Sequence, residues 1–135
     1  MVLSGENSSK WIQRVVLFSL LLIFFTLPHI LEDFATGEPI ERGIPVPLLA
    51  LIISILFSLQ ALGLFWIGQK KRRGLFVHLV VGLFWPIASG LAQLSSILSE
   101  PIYRSGVISI IYVVGIILVG VLLFLSAIIS LKNSS

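Results

Sequence analysis

Four long stretches of this sequence contain no charged residue, and each is mostly apolar. They cover residues 15–31, 43–69, 74–99 and 105–131. An α-helix needs about 20 apolar residues to cross the hydrocarbon core of a bilayer, where each unpaired backbone polar group costs several kcal/mol. The pattern therefore predicts an all-α integral membrane protein, a four-helix bundle. Its transmembrane helices are expected at about 11–31, 45–69, 74–98 and 105–131.

The composition supports this class and excludes several others. The 135 residues are 57% hydrophobic and only 11% charged, which is typical of membrane proteins, and the short connections predict a single domain over 1–135. The net charge is +3, but the cations lie at predicted helix ends, so no nucleic-acid partner is predicted. The chain has no cysteine, which excludes disulfides and thiolate metal sites.

The basic residues set the predicted orientation. If the amino terminus lies in the cytoplasm, seven basic residues face the cytoplasm and two face outward. The seven are Lys10, Arg14, Lys70, Lys71, Arg72, Arg73 and Lys132, and the two are Arg42 and Arg104. This distribution follows the positive-inside rule. It predicts a multi-pass protein of the cytoplasmic (plasma) membrane with both termini in the cytoplasm, and no small-x-small cleavage site follows the first helix to suggest its removal as a signal peptide.

Four of these cations stand in succession in the turn between the second and third predicted helices: Lys70, Lys71, Arg72 and Arg73. Cations at this position interact with anionic lipid headgroups by about 1 kcal/mol each. The lipid bilayer, with its anionic phospholipids at this turn, is therefore a predicted partner. The simpler interpretation of the turn is a topology anchor, and specific headgroup recognition is the alternative.

Polar and aromatic residues recur along one face of the third predicted helix. They are His78, Gly82, Trp85, Ser89, Gln93, Ser96 and Glu100. Pro86 lies beside this face and is expected to bend the helix and free a backbone carbonyl. We interpret the face either as a polar seam that holds the bundle together or as the wall of a functional cavity. In the first case Trp85 packs in the core, and in the second it contacts a ligand.

Other residues of the second and third helices carry expectations about packing. The amide of Gln60 is expected to form a hydrogen bond with the third helix, since so deep a polar group needs a partner. His78 is expected to reach the interface or to cap its helix. The small residues Ser54, Ser58 and Ala61 lie on one stripe of the second helix and are expected to form a close-packing seam.

A group of polar residues is predicted to meet near the outer face. The first helix ends in His29, Glu32 and Asp33, and residues of the third and fourth helices are expected at a similar depth. This predicts a polar vestibule that opens outward between the first, third and fourth helices. Its candidate ligand-binding residues are His29, Glu32, Asp33, Trp85, Gln93, Glu100, Arg104 and Tyr112.

Several kinds of chemistry are open to such a group. If a metal binds, its ligands are His29, Glu32 and Asp33, because imidazole and carboxylate groups ligate divalent ions. The same residues are suited to relaying protons, and the simplest interpretation is a solvated helix end. A haem is disfavoured, because His29 and His78 lie at opposite ends of the bundle, and no cofactor is predicted.

Two classes of function remain. The first hypothesis is an accessory or interaction subunit without catalysis of its own, held in a larger membrane complex or a homo-oligomer. The alternative is binding or transport of a small ligand, proton or metal ion, or a small intramembrane enzyme, using the vestibule. Because the sequence contains no complete catalytic motif, we expect no enzymatic activity.

Overall fold

The structure is a computed structural model, and it describes residues 6–99 and 106–134. The helices are α1 (Glu6–Thr36), a short α2 (Glu38–Glu41), α3 (Val46–Gly68), α4 (Arg73–Trp85), a π-helical segment (Pro86–Leu91), α5 (Ala92–Ser99) and α6 (Val107–Asn133). No β-strand occurs among these residues. The predicted all-α class is confirmed.

Within the described ranges, four helical stretches are long and apolar enough to cross a membrane. They are Ser8–Thr36, Val46–Gly68, Arg73–Ser99 and Val107–Asn133. Their number agrees with the sequence prediction. The third stretch consists of α4, the π-helical segment and α5, and the second and fourth lie within about two residues of their expected bounds.

The first helix is longer than expected. A proline near the end of a helix predicts a kinked or frayed last turn, because it donates no backbone hydrogen bond. Pro28 does not end α1, which continues as far as Thr36. Beyond the proline, the Thr36 hydroxyl donates to the Glu32 carbonyl at 2.9 Å. The helix ends where Gly37 takes a φ of 77°, a left-handed conformation that glycine adopts without a steric cost. This turn separates α1 from α2.

The helices form an antiparallel bundle in which α6 packs against α1 and α4, while α3 packs mainly against α4. At one end of the bundle, the Ser8 hydroxyl donates to the Asn133 carbonyl at 3.1 Å. At the same end, the Arg72 guanidinium donates to the Leu131 carbonyl at 3.2 Å. This end, which includes the turn at 69–72, is called the basic end below. The opposite end, which carries Glu32, Asp33 and Glu38, is called the acidic end.

The core runs the length of the bundle and includes a very close approach of α4 to α6. Its buried apolar side chains include Val15, Leu22, Leu75, Trp85, Ile116 and Leu123. A Cβ atom at Gly120 would lie 2.1 Å from Cγ of Pro86, and one at Gly82 would lie 2.8 Å from the Phe124 backbone nitrogen. The two helices can approach this closely only because glycine has no side chain, as is common between membrane helices.

The third membrane-length helix changes its winding at Pro86. α4 ends at Trp85, and the next six residues are π-helical before α5 resumes α-helical geometry. Proline has no N–H to donate to the carbonyl four residues earlier, and its ring clashes with that carbonyl. A wider π turn accommodates the ring without ending the helix. Segments of this kind are frequent at functional sites.

The stripe of small residues on α3 is not a packing seam of this bundle. Ser54, Ser58 and Ala61 are exposed, and the Ser54 hydroxyl donates to the Ala50 carbonyl of its own helix. The side of α3 that packs inward instead buries Gln60 and Ile67. The expectation was wrong because α3 approaches α4 closely at Gly63, on another side of α3: a Cβ atom at Gly74 would lie 2.5 Å from the Gly63 carbonyl oxygen.

Candidate functional site

A cavity of about 180 Å³ lies near the acidic end, between the end of α1, α2, the first half of α3 and the π-helical region. Its walls are mostly apolar and include Ile53, Leu56 and Trp85. Five of its lining residues have polar or charged side chains. They are Asp33, Glu38, Arg42, Ser89 and Gln93. An apolar cavity with a few converging polar groups is the usual form of a small-molecule site.

The polar edge of the cavity is organised around Glu38. Its Oε1 lies 2.5 Å from Nη2 of Arg42, one helical turn further along, in an ion pair. The same oxygen accepts a hydrogen bond from the Gln93 side chain of α5 at 3.2 Å. The Gln93 residue is only 4% exposed, whereas the Arg42 side chain is 50% exposed. Glu38 therefore joins α2 to α5 across the cavity, while the guanidinium stands at its mouth.

A second carboxylate reaches the cavity from α1. The Asp33 side chain is 21% exposed, and its Oδ2 lies 3.6 Å from Nε2 of His29 on the preceding turn. His29 is fully buried and does not line the cavity. The imidazole thus stands behind Asp33, on the side away from the cavity.

The remaining residues of the predicted vestibule are distributed differently. Glu32 faces α6, where the Ser109 hydroxyl donates to its Oε1 at 2.5 Å. Tyr112 is partly buried on α6 and does not line the cavity. Glu100 and Arg104 lie outside the described residues. The structure therefore brings Asp33, Trp85 and Gln93 together but directs Glu32 elsewhere, and its cavity lies beside α3 rather than α6.

Among the described residues, the acidic and histidine side chains do not form a metal centre. In the described part of the chain, no three His, Asp or Glu residues come close enough together to hold a metal ion. His29 and Asp33 point toward each other, while Glu32 turns to α6. The three residues proposed from sequence as metal ligands are consequently not brought together.

Trp85 forms the floor of the cavity and is only 3% exposed. Its ring lies 5.5 Å from that of Phe57 on α3 at an angle of 31°, and 5.3 Å from that of Phe84 in an edge-to-face arrangement. Such aromatic contacts fix the orientation of an indole. Trp85 therefore packs in the core and also borders the cavity, and its contact with a ligand stays a prediction.

Sequence reasoning missed Glu38, Arg42 and Ser89 as cavity residues. The signal for the first two was their spacing, since a glutamate four residues before an arginine forms an ion pair when the segment is helical. The segment lies between the first and second predicted helices, and α2 is only four residues long. Ser89 was noted on the polar face of the third helix but not selected.

A separate polar cluster lies fully buried in the basic half of the bundle. The Ser19 hydroxyl of α1 lies 2.8 Å from Nε2 of His78 on α4. The Gln60 amide of α3 donates to the Ser19 hydroxyl at 3.0 Å and to its carbonyl at 3.1 Å. All three side chains are 0% exposed. We call this group the Ser19–Gln60–His78 network.

The donors and acceptors of this network can be assigned. His78 Nδ1 lies 2.8 Å from the Gly74 carbonyl, which only accepts, so Nδ1 carries the proton. In the neutral imidazole, Nε2 then accepts from the Ser19 hydroxyl, which accepts in turn from Gln60. The amide oxygen of Gln60 is buried and finds no donor among the described residues. The network links three helices.

Both expectations for these residues differ from the structure. Gln60 bonds to α1 rather than to the third helix, and His78 is enclosed rather than reaching the interface. A Cβ atom at Gly63 would lie 2.8 Å from Cε1 of His78, so the glycine leaves the space that the imidazole occupies. Ser19, which was not predicted as a partner from the sequence, accepts both hydrogen bonds of the Gln60 amide, so Gln60 bonds to α1.

The basic turn is partly held by the protein itself. The Arg73 guanidinium lies 4.1 Å from the centre of the Trp66 ring, and that of Arg72 lies 5.7 Å from the centre of the Phe76 ring. Arg72 also donates to the Leu131 carbonyl. Lys70 and Lys71 are exposed. The two arginines thus fasten the turn to α3, α4 and α6, and the two lysines remain at the surface.

Comparison of the chain with protein-family models, with curated proteins and with solved structures finds no significant match. The site is therefore interpreted from its own geometry.

Proposed function

We propose that this chain is a multi-pass protein of the cytoplasmic membrane with its basic end in the cytoplasm. The four apolar helices support a spanning bundle. The start of α1, the end of α6 and the turn at 69–72 lie at the same end of the bundle. The basic residues near these three segments are therefore at one end. The positive-inside rule then puts this end in the cytoplasm and the cavity near the outer face.

We further propose that the protein binds a small molecule in the cavity without transforming it. The observation that supports this is the cavity itself, in which Glu38, Arg42 and Gln93 form a hydrogen-bonded edge opposite an apolar wall. Polar groups at one edge orient a ligand, and apolar walls supply most of its affinity. We propose no catalytic step at the cavity, because Ser19 and His78, which lie in hydrogen-bond contact, belong to the separate buried network.

Two alanines on one helical face provide a matched test. Ala88 lines the cavity and Ala92 does not, and both are exposed. The wild-type protein and the Ala88→Phe and Ala92→Phe variants would be purified in lipid nanodiscs, and small molecules that stay bound would be identified by native mass spectrometry. We expect a bound small molecule on the wild type and Ala92→Phe and its loss from Ala88→Phe. Equal retention by both variants would contradict binding in the cavity.

A second candidate function is that of an accessory subunit, and the exposed stripe on α3 favours it. Small residues let membrane helices approach closely, and Ser54, Ser58 and Ala61 are exposed on the described part of this bundle. Because the chain has no cysteine, Ser58→Cys can be compared with Ser95→Cys, which is exposed on α5. Oxidative cross-linking of Ser58→Cys alone, to a second copy or a co-purifying partner, would support this role. Equal cross-linking at both positions would remove the support.

A further inference from the structure

An apolar groove of about 350 Å³ lies between α3 and α4. Every residue that lines it is apolar. On its flanks, Leu59, Phe76 and Val80 are between 45% and 65% exposed, so the groove is open to the surroundings of the bundle. In a bilayer these surroundings are lipid chains, and a hydrocarbon chain can enter the groove from the side.

The groove lies in the half of the bundle next to the basic end. Its lining residues on α4 run from Phe76 to Trp85, and α4 itself begins at Arg73 beside the basic turn. At a rise of 1.5 Å per residue this lining covers about 14 Å of the helix. One leaflet contributes roughly 15 Å to the hydrocarbon core. The groove therefore has the length of one leaflet, the one that adjoins the basic turn.

Cations of the basic turn stand next to the residues that line this groove. Arg73 lies one helical turn before the groove residue Val77, so both are on the same face of α4. The Arg73 guanidinium lies 4.1 Å from the centre of the Trp66 ring and thereby bridges α4 to α3. The Arg72 guanidinium lies 5.7 Å from the ring centre of Phe76, the groove residue nearest the turn.

The positive charge of this turn is not neutralised by the protein. Lys70, Lys71 and Arg73 are exposed, and none of them forms an ion pair in the described part of the chain. The acidic side chains that the structure describes lie at the acidic end, at the other end of the bundle. A guanidinium presents several N–H donors in one plane and matches a phosphate in a bidentate arrangement. The turn is therefore suited to a phosphate group from outside the protein.

We infer that the basic turn and the groove together bind one anionic phospholipid. Its phosphate lies beside Lys70, Lys71 and Arg73, and one of its acyl chains lies in the groove between α3 and α4. Lipid chains are as apolar as the groove, so the groove alone prefers no headgroup. The cations select the head, and the groove holds the chain directly below them. This inference rests on the proposed membrane insertion and not on a ligand in the cavity.

The first helix supplies a matched control for Arg73. The Arg14 guanidinium lies 4.2 Å from the centre of the Trp11 ring, and Arg14 is exposed in the basic half of the bundle. The groove has no lining residue from α1. Arg14→Gln and Arg73→Gln therefore remove the same charge from the same kind of aromatic contact, and only the second removes it beside the groove.

Native mass spectrometry of the purified protein in detergent would give the Kd of the first bound lipid. The probes are the anionic dioleoylphosphatidylglycerol and the zwitterionic dioleoylphosphatidylcholine. We expect the wild-type Kd to be about tenfold lower for the anionic lipid, which corresponds to about 1.4 kcal/mol. Arg73→Gln should reduce this preference to about twofold, and Arg14→Gln should retain it. A wild-type protein without the preference, or an equal reduction by both variants, would overturn the inference.

Two valines test the groove. Val80 lines it, whereas Val121 is 45% exposed on α6 and does not. They lie at a similar depth, eight and ten residues from the hydrogen bond between Arg72 and Leu131. Val80→Phe narrows the groove and should raise the Kd of both lipids about fivefold, and Val121→Phe should leave both unchanged. Unchanged binding by Val80→Phe would overturn the inference.

A further arm separates the lipid from free phosphate. Glycerol phosphate carries the phosphate without acyl chains, and we expect that it does not displace phosphatidylglycerol at equal concentration. Displacement would mean that the turn recognises phosphate alone, and it would overturn the inference of a bound lipid.

Membrane insertion is tested separately by alkaline extraction of cell membranes, which an inserted protein resists. Release of the protein by alkali would overturn the proposed insertion and this inference with it. Absence of the lipid preference in a protein that resists extraction would overturn this inference alone.

Discussion

The two polar regions of this bundle differ in whether their hydrogen-bonded side chains are enclosed or surround an open space. In the basic half, Ser19, Gln60 and His78 bond to one another and to backbone carbonyls, and all are 0% exposed. At the acidic end, Glu38, Arg42 and Gln93 also bond to one another but surround an open cavity. The first region leaves no room for a ligand and the second does. The difference indicates that packing, and not polarity alone, decides where a small bundle keeps an open cavity.

The largest effect on stability is expected in the buried network. His78→Ala removes the acceptor of the Ser19 hydroxyl and the bond to the Gly74 carbonyl and leaves a cavity. Membrane hydrogen bonds average about 0.6 kcal/mol each, and the empty volume adds to their loss. We expect the free energy of unfolding to fall by about 2 to 3 kcal/mol, measured by reversible SDS titration in mixed micelles.

The control for this change is Leu83→Ala on the same helix. Leu83 is 51% exposed and does not line the cavity, so a change below about 0.5 kcal/mol is expected. Equal losses for the two variants would mean that the network does not hold the helices together.

Gln60→Leu is expected to have a smaller effect. The substitution removes two hydrogen bonds to Ser19 but also removes the amide oxygen that has no donor among the described residues. Because leaving a buried acceptor unpaired is itself costly, the two changes offset each other. We expect a loss below about 1 kcal/mol in the same titration. A loss as large as that for His78→Ala would show that the Gln60 oxygen is satisfied.

The smallest effect on stability is expected at the mouth of the cavity. Arg42→Met keeps much of the side-chain length but removes the ion pair with Glu38, and the Arg42 side chain is half exposed. Exposed ion pairs contribute about 0.2 to 1 kcal/mol. The free energy of unfolding should change by less than about 0.5 kcal/mol. A loss above about 2 kcal/mol would mean that the Glu38–Arg42 ion pair stabilises the fold as much as the Ser19–Gln60–His78 network does.

Much of the fold was predictable because it depends on local composition. The number of apolar helices followed from the lengths of the uncharged stretches. At Pro86 a bend was expected from the missing N–H, and the structure has a π-helical segment there, which the sequence did not indicate. Proline alone did not decide the end of a helix, since α1 continues through Pro28. The glycine at position 37, with its left-handed φ, ends α1 instead.

The candidate site was less predictable because it depends on how helices rotate against one another. Helical spacing placed His29, Glu32 and Asp33 near one side of α1, yet only Asp33 lines the cavity while Glu32 meets Ser109. Likewise, the depth of Gln60 indicated that it needs a partner but not that Ser19 supplies it. Such choices follow from the whole bundle and not from one helix.

The most direct test of the account compares two single-cysteine variants of this cysteine-free chain, Ser89→Cys in the cavity wall and Ser19→Cys in the buried network. Intact cells would be treated with a membrane-impermeant thiol reagent, and SDS-unfolded protein would give full labelling. We expect rapid modification at position 89 from outside and none at position 19 until the protein is unfolded. Labelling at position 19 with protection at position 89 would contradict both the outward cavity and the closed network.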